Sequence, residues 1–539
     1  MHPVADPLRQ NPNPAAMAEV LAYVQALEQQ LAVSVQQLEQ RQQEVHLRDQ
    51  QIQLLEIKNQ KRAFELAYLR RIRFGATREA FSGEQKSLFE EDLDQDLAAV
   101  EAELAAGERA ADPVPSRRTS RRPHPGRTPL PSHLERIEVR HEPEHCTCPA
   151  CQSALVKIGE EVTEQLHMEP ATFKVIRHIR PQYACRACET IQAAPVAPAI
   201  IDGGLPTSGL LATVALAKYL DHLPLYRLEQ MAERQGVMLS RRTMSTWIGQ
   251  LGVALSPLVD RLAAHLRTTG SLHADETPVR QLDPGKGKTK RAYLWAYRSN
   301  ELSGGPPMVV FDYQTSRSGQ CVRDFLGTWS GHLMVDDYAG YKALFGERVI
   351  EQACWAHARR KFFELHAATG GKHPVAAEAL ERIGRLYALE AEARTQGLSI
   401  EARQTLRAER AKPELQSLQD WLTRLSLTAA PDSGLAKAIH YLLRRWAAFT
   451  VYAETGHLPI DNNPVENVIR PIAIGKKNWL FAGSERAGKR AAAIQSLIST
   501  ARLNGIDPAQ WLRDTLEKLP TWPNARIDDL LPVRWTGNH

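Results

Sequence analysis

SLHADETPVRQL at 271–282, RAYLWAYRS at 291–299, PMVVFDYQT at 307–315 and GHLMVDDYAGY at 331–341 together decide the fold. Each is short and rich in aromatic and β-branched residues, and turn residues separate the first three, so four strands are expected. A short helix fits between Arg317 and about Gly327. ERVIEQACWAHARRKFFEL (347–365) reads as a fifth strand entering a helix. From about 365 to 455 the pattern is helical throughout, and strand and helix signals resume at LPIDNNPVENVIRP (458–471). That order predicts a mixed α/β core interrupted by an all-helical insertion.

Upstream, residues 206–266 are helical in pattern. LYRLEQMAERQGVMLSRRTMSTWIGQLG (225–252) carries a helix, a turn at Gln235-Gly236 and a second helix capped near Ser240. This suits a helix-turn-helix with Arg241 and Arg242 at the start of its second helix, although plain helical hairpins share the pattern. Before it, Cys148-Pro-Ala-Cys151 and Cys185-Arg-Ala-Cys188 stand 33 residues apart, with strand-like sequence between them. Two such turns deliver four thiolates to one tetrahedral Zn2+, a structural site with no open position. Cys146 stands outside this set; a redox pair and an iron site are the alternatives.

Further upstream, Ala110 to Leu134 is rich in Pro and Arg, with Arg117, Arg118, Arg121, Arg122 and Arg127. Such a segment builds no core and suits contact with a polyanion, or else serves as a solvated spacer. Residues 20–69 repeat apolar positions at nearly heptad spacing (Val24, Leu31, Leu38, Val45, Ile52, Leu66, with Asn59 between), which predicts a self-associating coiled coil. Arginines at 41, 48 and 62 weaken the seam, and an amphipathic helix packed on its own chain is the alternative.

The whole chain of 539 residues is too long for one core, and 43% hydrophobic with 24% charged residues excludes a wholly disordered chain. No run reaches the roughly 18 apolar residues of a membrane span. The N-terminus lacks the order of a secretion signal, so a cytoplasmic protein is expected. The net charge of +5 says less than its distribution.

Three acids occupy informative places. Asp275 lies in the first strand, Asp336 ends the fourth and Glu466 opens a helix after the insertion, at intervals of 61 and 130 residues. Two-metal phosphoryl transfer needs carboxylates brought from separate elements to one point. Each acid also has a structural reading, sharpest for Glu466, which completes a capping box with Asn463 and Pro464. Around them, Arg470, Lys476, Lys477, Arg486, Lys489, Arg490 and Arg502 face one acid, Glu485, with Trp479 and Phe481 interleaved as in a DNA-backbone groove. Arg359, Arg360 and Lys361 form a second basic cluster. Cys354 and His357 have ligand spacing without a second pair nearby and are read as packing against the sheet. His273 is read as pointing to the face opposite Asp275.

These stretches resemble the transposases of the insertion sequence 66 family, a branch of the DDE transposases. The resemblance runs through RFG (73–75), SLFEE (87–91), the two CxxC pairs, HADETPVR (273–280), DDYAGY (336–341) and CWAHARRKFFE (354–364). Its most specific stretch is DNNPVENVIRPIAIGKKNWLFAGSERAGKRAAAIQSLISTARLNG (461–505), followed by IDDLLP (527–532). It implies a ribonuclease-H-like core with Asp275, Asp336 and Glu466 holding Mg2+ or Mn2+. The family has Gly after the second acid where this chain has Asp337, so the doublet offers two candidates, of which Asp336 is assigned. The implied activity is cleavage at the terminal inverted repeats of a bacterial element and joining of the 3′-hydroxyls to target DNA, with accessory proteins from the same element. A zinc-containing DNA-binding regulator and a nuclease that cuts without joining are the rival readings.

The expected organisation is a coiled coil and helical region (1–106), an Arg/Pro-rich linker (107–143), a small zinc-binding β unit (144–197) and a helix-turn-helix-like domain (198–268). The catalytic core follows in two parts (269–364 and 455–515) around the helical insertion (365–454), with a tail at 516–539.

Overall fold

The computed structural model describes residues 130–132, 134–142, 153–169, 172–283, 286 and 288–537. The coiled-coil stretch, the linker arginines Arg117, Arg118, Arg121 and Arg122, and Cys146, Cys148 and Cys151 lie outside the described residues.

A small sheet comes first: β1 (Arg136–Arg140), β2 (Val156–Glu169), β3 (Thr172–Ala184) and β4 (Ile191–Ala193). β2 and β3 form a long antiparallel hairpin, β1 lies parallel to β3, and β4 pairs with the end of β3. Phe173 and Val175 alternate along β3 and, with Leu166 opposite Val175, form its buried face. That face docks on the helices that follow, where the Leu166 N–H donates to the Leu205 carbonyl at 2.8 Å.

Those helices are α1 (Ser208–Tyr219), α2 (Leu225–Glu233) and α3 (Arg241–Leu266). Gly236, at φ 74°, makes the turn between α2 and α3. The Ser240 hydroxyl then accepts from Thr243 N–H at 3.1 Å and starts α3. Met244, Trp247, Ile248, Leu251, Leu255, Leu258, Leu262 and Leu266 recur at three- and four-residue steps, and all are buried. This stripe joins α3 to one face of the central sheet in a single apolar core.

The central sheet contains β5 (Ser271–Asp283), β6 (Lys288–Ser299) and β7 (Val309–Gln314) in an antiparallel meander. After the crossing helix α4 (Gly319–Leu326) come β8 (Gly331–Val335) and β9 (Val349–Ala353), both parallel to β5. The order is β7-β6-β5-β8-β9, so β5 is central and the five strands expected between 271 and 353 are present, whereas the strand signal at 458–462 forms no strand. β9 runs into α5 (Trp355–Ala368).

The insertion is helical: α6 (Pro374–Thr395), α7 (Ile400–Leu406), α8 (Lys412–Ser426), α9 (Gly434–Leu443) and α10 (Trp446–Thr450). Ile383, Leu386, Leu418, Leu422, Ile439 and Phe449 give it a core of its own, anchored on Trp355 and Phe362 of α5. A π-helical turn at Arg407–Ala411 separates α7 from α8. It delivers Arg407, fully buried, to Glu390 through two hydrogen bonds of 2.7 Å. The same guanidinium donates to the carbonyls of Tyr452 and Thr455 at 2.9 and 2.6 Å.

The chain returns through α11 (Asn463–Trp479), α12 (Glu485–Leu503) and α13 (Pro508–Lys518). α11 covers the second face of the sheet, with Val465, Ile469 and Ile472 against Val279, Leu294 and Phe311. α12 lies along β7: the Ser496 and Thr500 hydroxyls accept from the N–H groups of Phe311 and Val309, at 2.8 and 3.2 Å. The edge strand's donors are thereby covered. Beyond α13, Asp528 accepts from Arg261 and His265 of α3, fastening the C-terminal segment to the same core. Among the described residues, no helix is long and apolar enough to cross a membrane.

Candidate active site

β5 and β8 pair as far as His273 with Met334 and then separate. Two residues further, the same register sets Asp275 opposite Asp336, on one face and where the two strands part. Asp275 is largely buried and accepts a hydrogen bond from the Glu276 N–H at 2.8 Å. Burial chiefly pushes its carboxyl up to about 8, with the charges of Glu276, Asp336 and Glu466 adding to the rise. The three acids therefore come together electrostatically from separate parts of the chain.

Asp336 turns the chain at the end of β8 by accepting from Tyr338 N–H at 2.9 Å. Asp337, on the other side of the backbone, is drawn into a basic cluster. It pairs with Arg444 and has Arg445 at 3.7 Å and Lys342 at 3.8 Å.

Glu466 sits in the first turn of α11, but the expected capping box does not form. The helix begins one residue earlier, with Asn462 at the cap position and no side-chain capping bond. Asn462 is fully buried and used otherwise. Its amide donates to the Ala274 carbonyl at 2.9 Å, its oxygen meets His273 Nδ1 at 2.9 Å, and its N–H reaches Cys354 Sγ at 3.2 Å. One asparagine thus joins β5, α11 and the start of α5, the elements around the acids.

The Glu466 carboxylate consequently points away from its own backbone. Oε1 is buried without a hydrogen-bond partner and stands 3.8 Å from His357 Nδ1, while Oε2 is 3.8 Å from Arg360. Cys354 is buried as expected, but His357 is not simply packed on the sheet; it faces Glu466. His273 requires a correction too. Two residues from Asp275 on one strand, it shares that residue's face, and it is buried against Asn462 with its pKa lowered to about 4, chiefly by burial.

Glu276, the next residue, differs from Asp275 in being paired. It accepts from Arg317 at 2.7 Å and from the Tyr341 hydroxyl at 3.0 Å. Arg317 stacks over Tyr338 at 3.8 Å and keeps its side chain 43% exposed. The sequence reading missed Arg317; its turn-like surroundings carry no motif.

Of the expected basic residues, Arg359, Arg360, Lys361, Arg470, Lys477, Arg486, Lys489 and Arg242 are exposed. Arg360 and Arg359, with Phe363, Tyr387 and Asn463, line an open groove beside Glu466. Lys476 is tied down, donating to the Pro278 carbonyl at 3.0 Å, and Arg241 lies 4.0 Å from Glu229 of α2. Two expectations fail on burial. Arg490 is 6% exposed and packs on Gly252 of α3, where even a Cβ would lie 2.5 Å from its side chain. Phe481 is buried too, and with the half-buried Trp479 it lines an apolar pocket beside Ile472 and Leu294.

The second CxxC forms a tight turn between β3 and β4. Cys185 N–H donates to the Thr190 carbonyl at 2.9 Å, and Glu189 N–H donates to the Cys185 carbonyl at 2.8 Å with φ 56° at Glu189. Cys185 is buried and Cys188 exposed, and the strands expected between the two pairs are β2 and β3.

Family comparisons extend over these same parts. Residues 203–490 match the Transposase IS66 family, 145–189 the zinc-finger binding domain of transposase IS66, 496–533 the IS66 C-terminal element and 62–139 the Transposase C of IS166 homeodomain. Two relatives from Sinorhizobium fredii (strain NBRC 101917 / NGR234) are similar over most of their length. The uncharacterized protein y4jD is 36% identical over 490 residues, covering 88% of this chain and 94% of its own. The uncharacterized protein y4qI is 38% identical over 467 residues, covering 84% of each. With a match spanning the sheet, the insertion and all three acids, the chain belongs to the IS66 family of transposases.

Proposed function

We propose that the chain is a DDE-type transposase that cuts the terminal inverted repeats of a bacterial insertion sequence and joins the freed 3′-hydroxyls to target DNA. The observation that supports this reading is that Asp275, on β5, feels the charges of both Asp336 and Glu466, its carboxyl pushed up to about 8 chiefly by burial and further by these acidic neighbours. The strand order β7-β6-β5-β8-β9, with the first three antiparallel, supports a ribonuclease-H-like core.

The residues fit divalent cations. The Asp275 carboxyl, which burial and neighbouring acids keep from ionising, together with Asp336 and an orphaned Glu466 oxygen, offers the oxygen donor set that Mg2+ or Mn2+ requires. Asp275, Asp336 and Glu466 would hold them, and when bound such ions supply activation of the attacking oxygen and stabilisation of the leaving one. The chain's own part is positional. Asn462 fixes the start of α11 against β5, and Asp337, held by Arg444, leaves Asp336 to face Asp275. Arg317, Arg359 and Arg360, beside the acids, would bind phosphates and set the register of the DNA. Cys148, Cys151, Cys185 and Cys188 would hold a structural Zn2+. Self-association through the N-terminal coiled coil would gather two element ends by effective concentration, with accessory proteins of the same element. The protein would act in the cytoplasm, on the nucleoid.

The test is mobility of a marked element in cells, with accessory proteins supplied and the chain intact or carrying Glu466→Gln. Loss of movement with folding and DNA binding preserved is expected. Movement that survives the substitution overturns the assignment, and tight DNA binding without strand breaks would favour a regulator.

A further inference from the structure

We propose that His357 is a ligand of the cation held by Glu466, which gives the site a nitrogen donor and a preference for Mn2+ over Mg2+. This rests on the reading of Glu466 as a metal-binding acid and goes beyond the three carboxylates.

Cys354, His357 and Glu466 offer ligand atoms that all lie within 4.8 Å of one another. His357 Nδ1 and Glu466 Oε1 face each other at 3.8 Å, and both are buried without a hydrogen-bond partner. Two such orphans side by side are costly, so their juxtaposition calls for something between them. The gap is too long for a hydrogen bond. It is within the span of two donors that each lie about 2.1 Å from a shared ion. The third corner is already engaged: Cys354 Sγ accepts from the Asn462 N–H at 3.2 Å. That contact binds the first turn of α11 to the start of α5, and so holds Glu466 opposite His357. The donors left for an ion are an imidazole and a carboxylate. Magnesium favours oxygen donors alone, whereas manganese and later divalent ions accept imidazole.

The experiment uses the full-length protein and Mn2+ alone, read by electron paramagnetic resonance. Spin-echo spectra of bound Mn2+ should show modulation from a directly coordinated histidine nitrogen, altered by 15N-histidine labelling. His357→Gln should remove that modulation and weaken Mn2+ binding on the order of tenfold, with a smaller loss for Mg2+. The labelling arm needs no substitution, so a variant that fails to fold does not decide the result. Bound Mn2+ without nitrogen modulation, or modulation that persists in His357→Gln, overturns the proposal. If Glu466→Gln abolishes cleavage while His357→Gln leaves the Mn2+ spectrum unchanged, this inference alone fails. If Glu466→Gln still cuts DNA, the reading beneath it fails.

Discussion

Two regions of this molecule bury carboxylates, and they treat them in opposite ways. In the helical insertion, Glu390 accepts from Nε and Nη2 of Arg407, and Nη1 of the same guanidinium donates to two backbone carbonyls. On the central strand of the main sheet, Asp275 gains repulsion from three other acids, and Glu466 keeps a buried oxygen with no partner. The first arrangement is complete within the chain and holds helices together. The second is incomplete and carries an unfavourable term that a proton on Asp275, or a bound cation, would relieve. The same contrast recurs between neighbours on β5, where Glu276 is closed by Arg317 and Tyr341 while Asp275 stays open.

The largest expected effect comes from Asp275→Asn. Cleavage of an element end should fall by about a thousandfold or more, the several kcal/mol that metal stabilisation of the transition state supplies. Folding should survive, and the metal-free pH profile of stability should lose one component in a predictable way. A group raised from 3.8 to about 8 binds its proton in the folded state first, so wild-type stability declines as pH rises between those values. Asparagine removes that decline. A variant that loses cleavage yet keeps the slope would break the comparison.

Next is Arg407→Met, which leaves Glu390 buried and alone and should cost about 3–5 kcal/mol in urea unfolding. Adding Glu390→Leu should restore most of it; a double variant as unstable as the single would show that Arg407 acts through the backbone carbonyls instead. Third, His273 is buried neutral, with its pKa lowered from 6.5 to about 4. The stability it confers is complete above 6.5 and drains as pH falls through about 4, by roughly 3 kcal/mol. His273→Gln should flatten that acid limb. The smallest effect separates surface from core: Lys477→Ala should lower the salt slope of DNA binding by about one with little change in stability. Arg490→Ala should instead lower the melting temperature.

The sheet was legible because alternation and aromatic content mark β5, β6 and β7 whatever surrounds them. The insertion was legible from the length of its helical pattern. The site was only half legible. Asp336 and Asp337 differ by which face of the chain they occupy, and what separates them is Arg444, more than a hundred residues away in the insertion. Asn462 looked like an ordinary residue before a helix, since its bonds to His273 and Ala274 depend on tertiary packing. Charge alone misled at Arg490, where the aliphatic stem of the side chain fits a glycine of α3.

Arg445, just beyond α9, bears on how the insertion could be re-engineered. It donates to the Asp336 carbonyl at 2.9 Å and to Glu351 of β9 at 2.8 Å, with its side chain 5% exposed. The insertion is therefore not a detachable appendage, because its last stretch is a bracket for the strand end that bears an acid. The exposed loop between α8 and α9 can be trimmed or tagged without loosening that bracket. Excising the whole excursion would release Asp336 even if every strand of the sheet still formed.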